Sequence, residues 1–299
     1  MENGFLLRSM MFVPGHNDKL LESASRSEAD ALILDLEDSV MPAHNKSIAR
    51  TKIKEYINSG KLSRFSIFPR VNDRESGMLL KDVQELTIKG IDGFVYPKSK
   101  KPEDIYFFDK LLETIEYDKE FPIGTFKIVA LMETTSAIMN AQAIAESSKR
   151  LVALAFGCED YITDLQGIHD SNGTSLFGAR FMIANAARAA GIIPIDTVHI
   201  KVHDLEDLER NLQIAKNMGF EGMLALSPKE LPLIHQYFSP SDEEIIKAKE
   251  MLELAKEAQS EDKGVTVLKG RFVGSPFVLA SKKIIEKHEK IKFKVYKNK

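Results

Sequence analysis

The stretch that decides the fold is residues 151–160, LVALAFGCED. A short apolar run without polar alternation, ended by a glycine and then two acids, reads as a strand buried on both faces, as in a parallel sheet covered by helices. The same pattern appears at residues 126–134, FKIVALMET, which closes on Glu133, and at residues 30–38, DALILDLED, which closes on Asp35, Glu37 and Asp38. Parallel strands that each deliver a carboxylate at the C-terminal end bring those oxygens to one mouth, where α/β barrels place their chemistry.

Working outward, five more segments have strand character: SMMFVPG (9–15), FSIFPRVN (65–72), GFVYPKS (93–99), IIPIDTVHI (192–200) and GMLALSP (222–228). Helix-like stretches lie between them, at 18–27, 46–58, 77–89, 101–116, 136–147 and 205–218. Alternating strands and helices predict a closed (β/α)8 TIM barrel, because closure removes both sheet edges. Glycines in KGIDGFVYPK and NMGFEGMLAL stand where a helix ends before the next strand, a place that calls for a left-handed backbone. After Pro228 the character changes. Ser239, Pro240, Ser241 and Asp242 start a charged amphipathic helix, VTVLKGRFVGSP (265–276) reads as a hairpin turning at Lys269 and Gly270, and FVLASKKIIEKHEK (277–290) as a last helix. The expected organisation is a barrel domain, 1–238, and a C-terminal helix-hairpin-helix extension, 239–299, ending in the solvated lysine-rich tail KIKFKVYKNK.

The chain has 299 residues and 43% hydrophobic content, enough for a full barrel core with an appendage. Its 41 basic and 44 acidic residues nearly balance, so no global field draws it to nucleic acid or anionic lipid. Small-molecule partners are expected. No apolar run approaches the roughly 20 residues that cross a bilayer. With a single cysteine, Cys158, no intramolecular disulfide forms, and MENGFLLRSM lacks a signal core, so a cytoplasmic location is expected.

Glu133 and Asp160 form the leading pair. Neighbouring staves of a barrel would bring their carboxylates to one hard dication, and Mg²⁺ takes one or two protein carboxylates with the rest of its shell from water and substrate oxygens. Each acid taken singly reads equally well as a cap of the following helix. Asp35 and Glu37 share a face by the two-residue period, and Asp38 opens the loop. Arg70 ends the strand 65–72 and can grip a carboxylate or carbonyl through paired hydrogen bonds, or lock into a salt bridge with those acids. Around the first strand, Arg8 precedes it, and Pro14, Gly15, His16 and Lys19 follow it as a candidate loop for phosphate or thioester oxygens. Lys98 reads as an ion pair with the acidic mouth rather than as a Schiff-base lysine. Negative charge beside Cys158 disfavours its thiolate. His199 and His203 lack a third nitrogen or sulfur ligand and read as surface residues.

These motifs resemble the citrate lyase beta subunit family, which includes malyl-CoA and citramalyl-CoA lyases within the HpcH/HpaI aldolase superfamily. The likeness runs through RSMMFVPG, LDLEDSV, PRVN, LMETTSAIMNA, FGCEDYITDL, ARAAGIIPIDTVH, GFEGMLALSP and the PSDEEI helix, in this order. It implies a TIM barrel, Mg²⁺ held by Glu133 and Asp160, substrate recognition by Arg70, and Arg8 and Lys19 near the acyl or coenzyme A portion. It also implies trimers or hexamers, with the C-terminal segment reaching a neighbouring subunit. The implied reaction is cleavage or formation of a hydroxy-acyl-CoA thioester, such as a citryl, malyl or citramalyl thioester, into an oxo acid and an acyl-CoA.

Two departures stand out. Relatives that use coenzyme A carry a basic aspartate in a segment like MIDAP, whereas this chain reads FVGSP with Gly274 at that place. The family's IHP segment reads Leu226, Ser227, Pro228. The base is then Asp38, Glu37 or a metal-bound hydroxide. Gly274 also keeps open a coenzyme A-independent aldolase of a free oxo acid, or a catalytically reduced subunit that binds such ligands.

Overall fold

The computed structural model describes residues 4–170, 173–260, 266–268 and 270–297. The chain divides into two compact units, one up to His235 and one from Gln236 onward.

The first unit is an eight-stranded parallel barrel. Its strands are β1 (Ser9–Pro14), β2 (Ala31–Asp35), β3 (Ser66–Ile67), β4 (Gly93–Tyr96), β5 (Lys127–Met132), β6 (Leu151–Phe156), β7 (Ile193–Asp196) and β8 (Gly222–Ala225), hydrogen-bonded in the order β3-β2-β1-β8-β7-β6-β5-β4. All eight of the expected strand segments are present. The segment 65–72 is a ladder only over Ser66–Ile67, because Pro69 has no N–H to donate. The chain nevertheless stays beside β2, with Phe68 N–H donating to Leu32 O at 3.0 Å and Arg70 N–H to Leu34 O at 3.1 Å. It then closes the barrel: Arg70 bridges both Asp35 and Val95, and Val95 N–H donates to Pro69 O at 2.9 Å.

Strand periodicity sorts the side chains. Ala31 and Ile33, Val129 and Leu131, Ala153 and Ala155, and Ile193 and Ile195 pack together inside the barrel. Two residues further along these inward lines stand Asp35, Glu133 and Gly157. Phe68 is followed in the same way by Arg70. The site is thus the next storey above the apolar core, reached by counting in twos.

Of the glycines expected at helix-to-strand joints, Gly90 and Gly219 have φ of 99° and 89°. The second glycine of each pair serves closeness instead, since a Cβ on Gly93 would lie 2.1 Å from Lys127 O and one on Gly222 1.9 Å from Leu7 O. The run 151–160 breaks at Gly157, and Cys158–Leu165 is a helix rather than a strand end. Glu159 and Asp160 in its first turn complement the positive end of the helix dipole. The helix Thr174–Ala190 completes the unit before β7.

The second unit contains the helix Asp242–Ser260, a hairpin of β9 (Thr266–Leu268) and β10 (Arg271–Val273), and the helix Ser275–Lys297. Ser241 caps the first helix, its Oγ accepting from Glu244 N–H at 3.1 Å while Glu244 accepts from Ser241 N–H at 2.8 Å. The hairpin turns at Gly270, whose φ is 75°, and the expected turn residue Lys269 lies outside the described residues. Leu254, Ala258 and Val273 form a small core with Met251, Ala255 and Val278. The lysine-rich end is helical through Lys297, which corrects the expected tail.

Candidate active site

Arg70 and Asp35 form the fixed point of the site. Arg70 Nε and Nη2 donate to the two oxygens of Asp35 at 2.6 and 2.7 Å, and the guanidinium lies over the Phe12 ring at 5.0 Å. Burial works against ionising Asp35, but hydrogen bonds and charge from Arg70 outweigh it and hold the carboxyl below its ordinary range. Ser39 and the Glu37 N–H add further hydrogen bonds to the same carboxylate.

The remaining Arg70 nitrogen, Nη1, faces two more acids, with Glu37 Oε2 at 2.9 Å and Asp38 Oδ2 at 3.3 Å. Glu37 is buried, and neither of its oxygens makes a well-directed hydrogen bond, so charge holds it, including Lys98 Nζ at 3.2 Å from Oε1. Burial pushes its carboxyl up to about 7, against the pull of Arg70. Lys98 also pairs with Asp73 at 3.2 Å, the ion-pair role expected of it.

Glu133 is almost fully buried, and its Oε1 accepts from Lys98 N–H at 2.6 Å. Burial first, then the negative charges of Glu37 and Asp160, raise its carboxyl well above the ordinary range. The space beside it exists because residue 157 has no side chain: a Cβ there would stand 2.7 Å from Glu133 Cβ and 2.9 Å from Oε2. Asp160 is exposed in the first turn of its helix, and its carboxylate makes no hydrogen bond or ion pair among the described residues.

Both acids line one cavity of about 560 Å³, together with Arg70, Asp35 and Asp38. Its walls are apolar, from Met11, Val13, Leu131, Phe156, Val198 and Leu224. A pocket of that size suits a small ligand with a few placed polar groups. Negative groups outnumber positive ones at its lining, since Asp35, Asp38, Glu133, Glu159 and Asp160 are balanced there only by Arg70. A carboxylate strained upward by its neighbours, a second one without a partner, and a glycine leaving room between strand ends make a donor set that fits a hard dication.

Asp38 and Glu37 have different places. Asp38 lines the cavity and is exposed, whereas Glu37 sits behind Arg70 and Lys98, outside the lining. Lys19 is exposed on the helix Asp18–Ser25, whose Leu20, Ser23 and Ala24 reach the cavity. Arg8 does not belong here. It pairs with both oxygens of Asp30 at 2.8 and 2.9 Å, at the N-terminal ends of β1 and β2, the end of the barrel opposite the acids. It is not among the residues that line the cavity. His199 is buried, not a surface residue, with Nε2 3.0 Å from Asp207. Burial pushes the Cys158 thiol up to about 12, in keeping with its expected lack of nucleophilicity.

A supporting layer escaped the sequence reading. Lys46 reaches in to donate to Leu36 O at 2.9 Å, Glu37 O at 3.1 Å and the Asn72 side chain, fixing the acidic loop. Asp82 accepts from Asn72 N–H and Nδ2 at 2.9 and 2.6 Å, and Arg50 neutralises it at 2.6 Å. Only Asn72, inside PRVN, carried a sequence signal.

Comparison with known proteins agrees with this construction. Residues 8–228 match the family model of the HpcH/HpaI aldolase/citrate lyase family. The citrate lyase subunit beta of Haemophilus influenzae is 32% identical over 282 residues, covering 94% of this chain and 97% of that protein. The L-malyl-CoA/beta-methylmalyl-CoA lyase of Cereibacter sphaeroides is 29% identical over 306 residues, covering 95% of each. Among solved structures, protein CitE from Mycobacterium tuberculosis in complex with magnesium, acetoacetate and coenzyme A superposes with a TM-score of 0.73 at 22% identity, covering 95% of this chain and 98% of that one, and shares the fold. With a barrel whose inward lines end in Asp35, Arg70, Glu133 and Gly157, and a family match over most of its length, the chain belongs to the HpcH/HpaI aldolase/citrate lyase family of lyases.

Proposed function

We propose that this protein is a Mg²⁺-dependent carbon-carbon lyase that cleaves or forms a hydroxy-acyl-CoA thioester of the citryl, malyl or citramalyl kind, yielding an oxo acid and an acyl-CoA. The observation that carries this reading is the placement of Glu133 and Asp160 on one cavity beside Arg70, with no cation on Asp160 among the described residues. Glu133 and Asp160 would hold the metal. When bound, Mg²⁺ polarises the oxygens of the oxo or hydroxy acid and lowers the cost of charge there.

The chain's own residues supply the rest. Arg70, immobilised by Asp35, is a preset charge that grips the substrate carboxylate without having to be ordered at the moment of reaction. Asp38 is exposed and lines the cavity beside Arg70, and in cleavage it takes the proton of the substrate hydroxyl. The O–H electrons become the carbonyl of the oxo acid, the adjacent carbon-carbon bond breaks, and its electrons pass to the thioester enolate. That enolate carbon then gains a proton, which balances the one removed. Glu37 is a positioning residue, holding Arg70 and Lys98 in place. Lys19, exposed on the helix whose Leu20, Ser23 and Ala24 line the cavity, would meet the coenzyme A portion. The apolar walls keep water from the enolate.

Gly274 supports a second reading, a coenzyme A-independent aldolase of a free oxo acid, because its lack of a side chain removes the base used in the coenzyme A relatives that the sequence resembles. Exposed Phe177 and Phe181, one helical turn apart, support self-association; the family resemblance makes the assembly a trimer or hexamer with the C-terminal unit reaching a neighbouring subunit. No helix among the described residues is long and apolar enough to cross a membrane. A lone, buried cysteine suits the cytoplasm, where we place the protein.

The test is an assay of purified protein with Mg²⁺ against citryl-CoA, malyl-CoA, citramalyl-CoA and free 4-hydroxy-2-oxo acids. Oxo acid release is expected from a thioester, abolished by EDTA, and lowered roughly 10²-fold or more by E133Q or D160N. Turnover of free acids alone selects the second reading. Failure with every substrate, together with no measurable Mg²⁺ binding, rejects both.

A further inference from the structure

The helix that carries Asp160 also gathers a different set of donors. Cys158 opens it, Glu159 follows, and His169 comes from the segment after its end. Cys158 Sγ lies 3.3 Å from Glu159 Oε1, and His169 Nε2 lies 3.0 Å from that same oxygen. The candidate ligand atoms of all three fall within 4.8 Å of one another. In a tetrahedral zinc site, with bonds of about 2.3 Å to sulfur and about 2.0–2.1 Å to nitrogen and oxygen, neighbouring ligand atoms stand roughly 3.3–3.6 Å apart. The two measured edges are within a few tenths of an ångström of that spacing.

The donor chemistry differs from that of Glu133 and Asp160. Thiolate, imidazole and carboxylate together select a borderline-soft transition metal, whereas Mg²⁺ takes oxygen alone. The site is pinned at its buried end, where Cys158 N–H donates to Thr197 Oγ1 at 3.1 Å. At its outer end it is open to solvent, since the side chains of His169 and Glu159 are 35% and 54% exposed. Cys158 and Glu159 both line the cavity.

We propose that Cys158, Glu159 and His169 form a three-ligand site for a thiophilic divalent cation of the zinc type, at the rim of the cavity and separate from the hard-metal carboxylates. Binding exchanges the thiol proton, released to solvent, for a sulfur-metal bond. Thiolate and carboxylate then neutralise the dication, and its fourth position faces water. The site does not depend on the proposed lyase activity.

The test uses Co²⁺ as the probe, titrated into the full-length protein already saturated with Mg²⁺ and followed by absorption. One equivalent is expected to bind with a near-ultraviolet sulfur-to-cobalt band. C158S should abolish that band, H169Q should weaken affinity at least tenfold, and E133Q should leave both unchanged. Because His169 lies on the surface, H169Q keeps the fold, and circular dichroism checks C158S. Absence of the band in the parent protein overturns the proposal. So does a band whose affinity H169Q leaves intact, or cobalt binding that disappears in E133Q, which would place the ion on the carboxylate pair.

Discussion

Glu37 and Asp38 are neighbours in sequence with opposite surroundings, and substitutions should separate them. Asp38 faces the cavity, so D38N is expected to lower kcat by about 10²- to 10⁴-fold with little change in KM, as measured by steady-state kinetics. Glu37 has a folded-state carboxyl at about 7 against an ordinary 4.5, so folding favours its protonated form. That contribution is fully present below about pH 4.5 and is lost as pH rises through 7, a difference of roughly 3 kcal/mol. Metal-free E37Q should therefore be more stable than the parent protein at pH 8 by up to about 3 kcal/mol and equal to it near pH 4, measured by urea unfolding in EDTA. Glu133 and Arg70 could be placed at the cavity from sequence because a side chain at the C-terminal end of a barrel strand has one place to go. Arg8 lies apart from the others because it is adjacent in chain to a strand that ends at the mouth, while itself standing at that strand's beginning. Lys46 and Asp82 were invisible, since their partners are 9 to 32 residues away and no local pattern marks a buried ion.

At the scale of elements, the two carboxylates proposed to hold the metal depend on how β6 ends. Gly157 permits the next helix to begin immediately and leaves its missing side chain as space for Glu133. G157A is expected to displace Glu133, costing about 1–3 kcal/mol of stability and weakening Mg²⁺ affinity at least tenfold, read by calorimetric titration. G178A makes the contrast. Gly178 lies within Thr174–Ala190 with nothing within 4 Å of its absent Cβ, so alanine there should stabilise by about 0.5–1 kcal/mol with Mg²⁺ affinity unchanged. The strand-helix alternation was legible because strands covered on both faces must be apolar throughout. The helix Cys158–Leu165 was not, because its acids follow the apolar run so closely that they read as the end of a strand.

For the whole molecule, the prediction concerns the second unit. A chain ended after Ser241 keeps the buried Ile234 and Phe238 and should retain a cooperative thermal transition, while light scattering should show loss of the proposed trimer or hexamer in favour of a monomer. Persistence of the full assembly would remove the C-terminal unit from the intersubunit contacts. The barrel was legible at this scale because eight apolar runs fill a closed wall, but the joint between β3 and β4 was not, since it consists of single bridges at Arg70 rather than a ladder. That joint has a consequence of its own. Arg70 is both a rung of the wall and the grip within it, and a slip of one residue would turn its guanidinium out toward the helices while bringing Pro69 or Val71 inward. A mis-threaded wall is therefore also a silent enzyme, and turnover itself certifies that the last rung has closed in register.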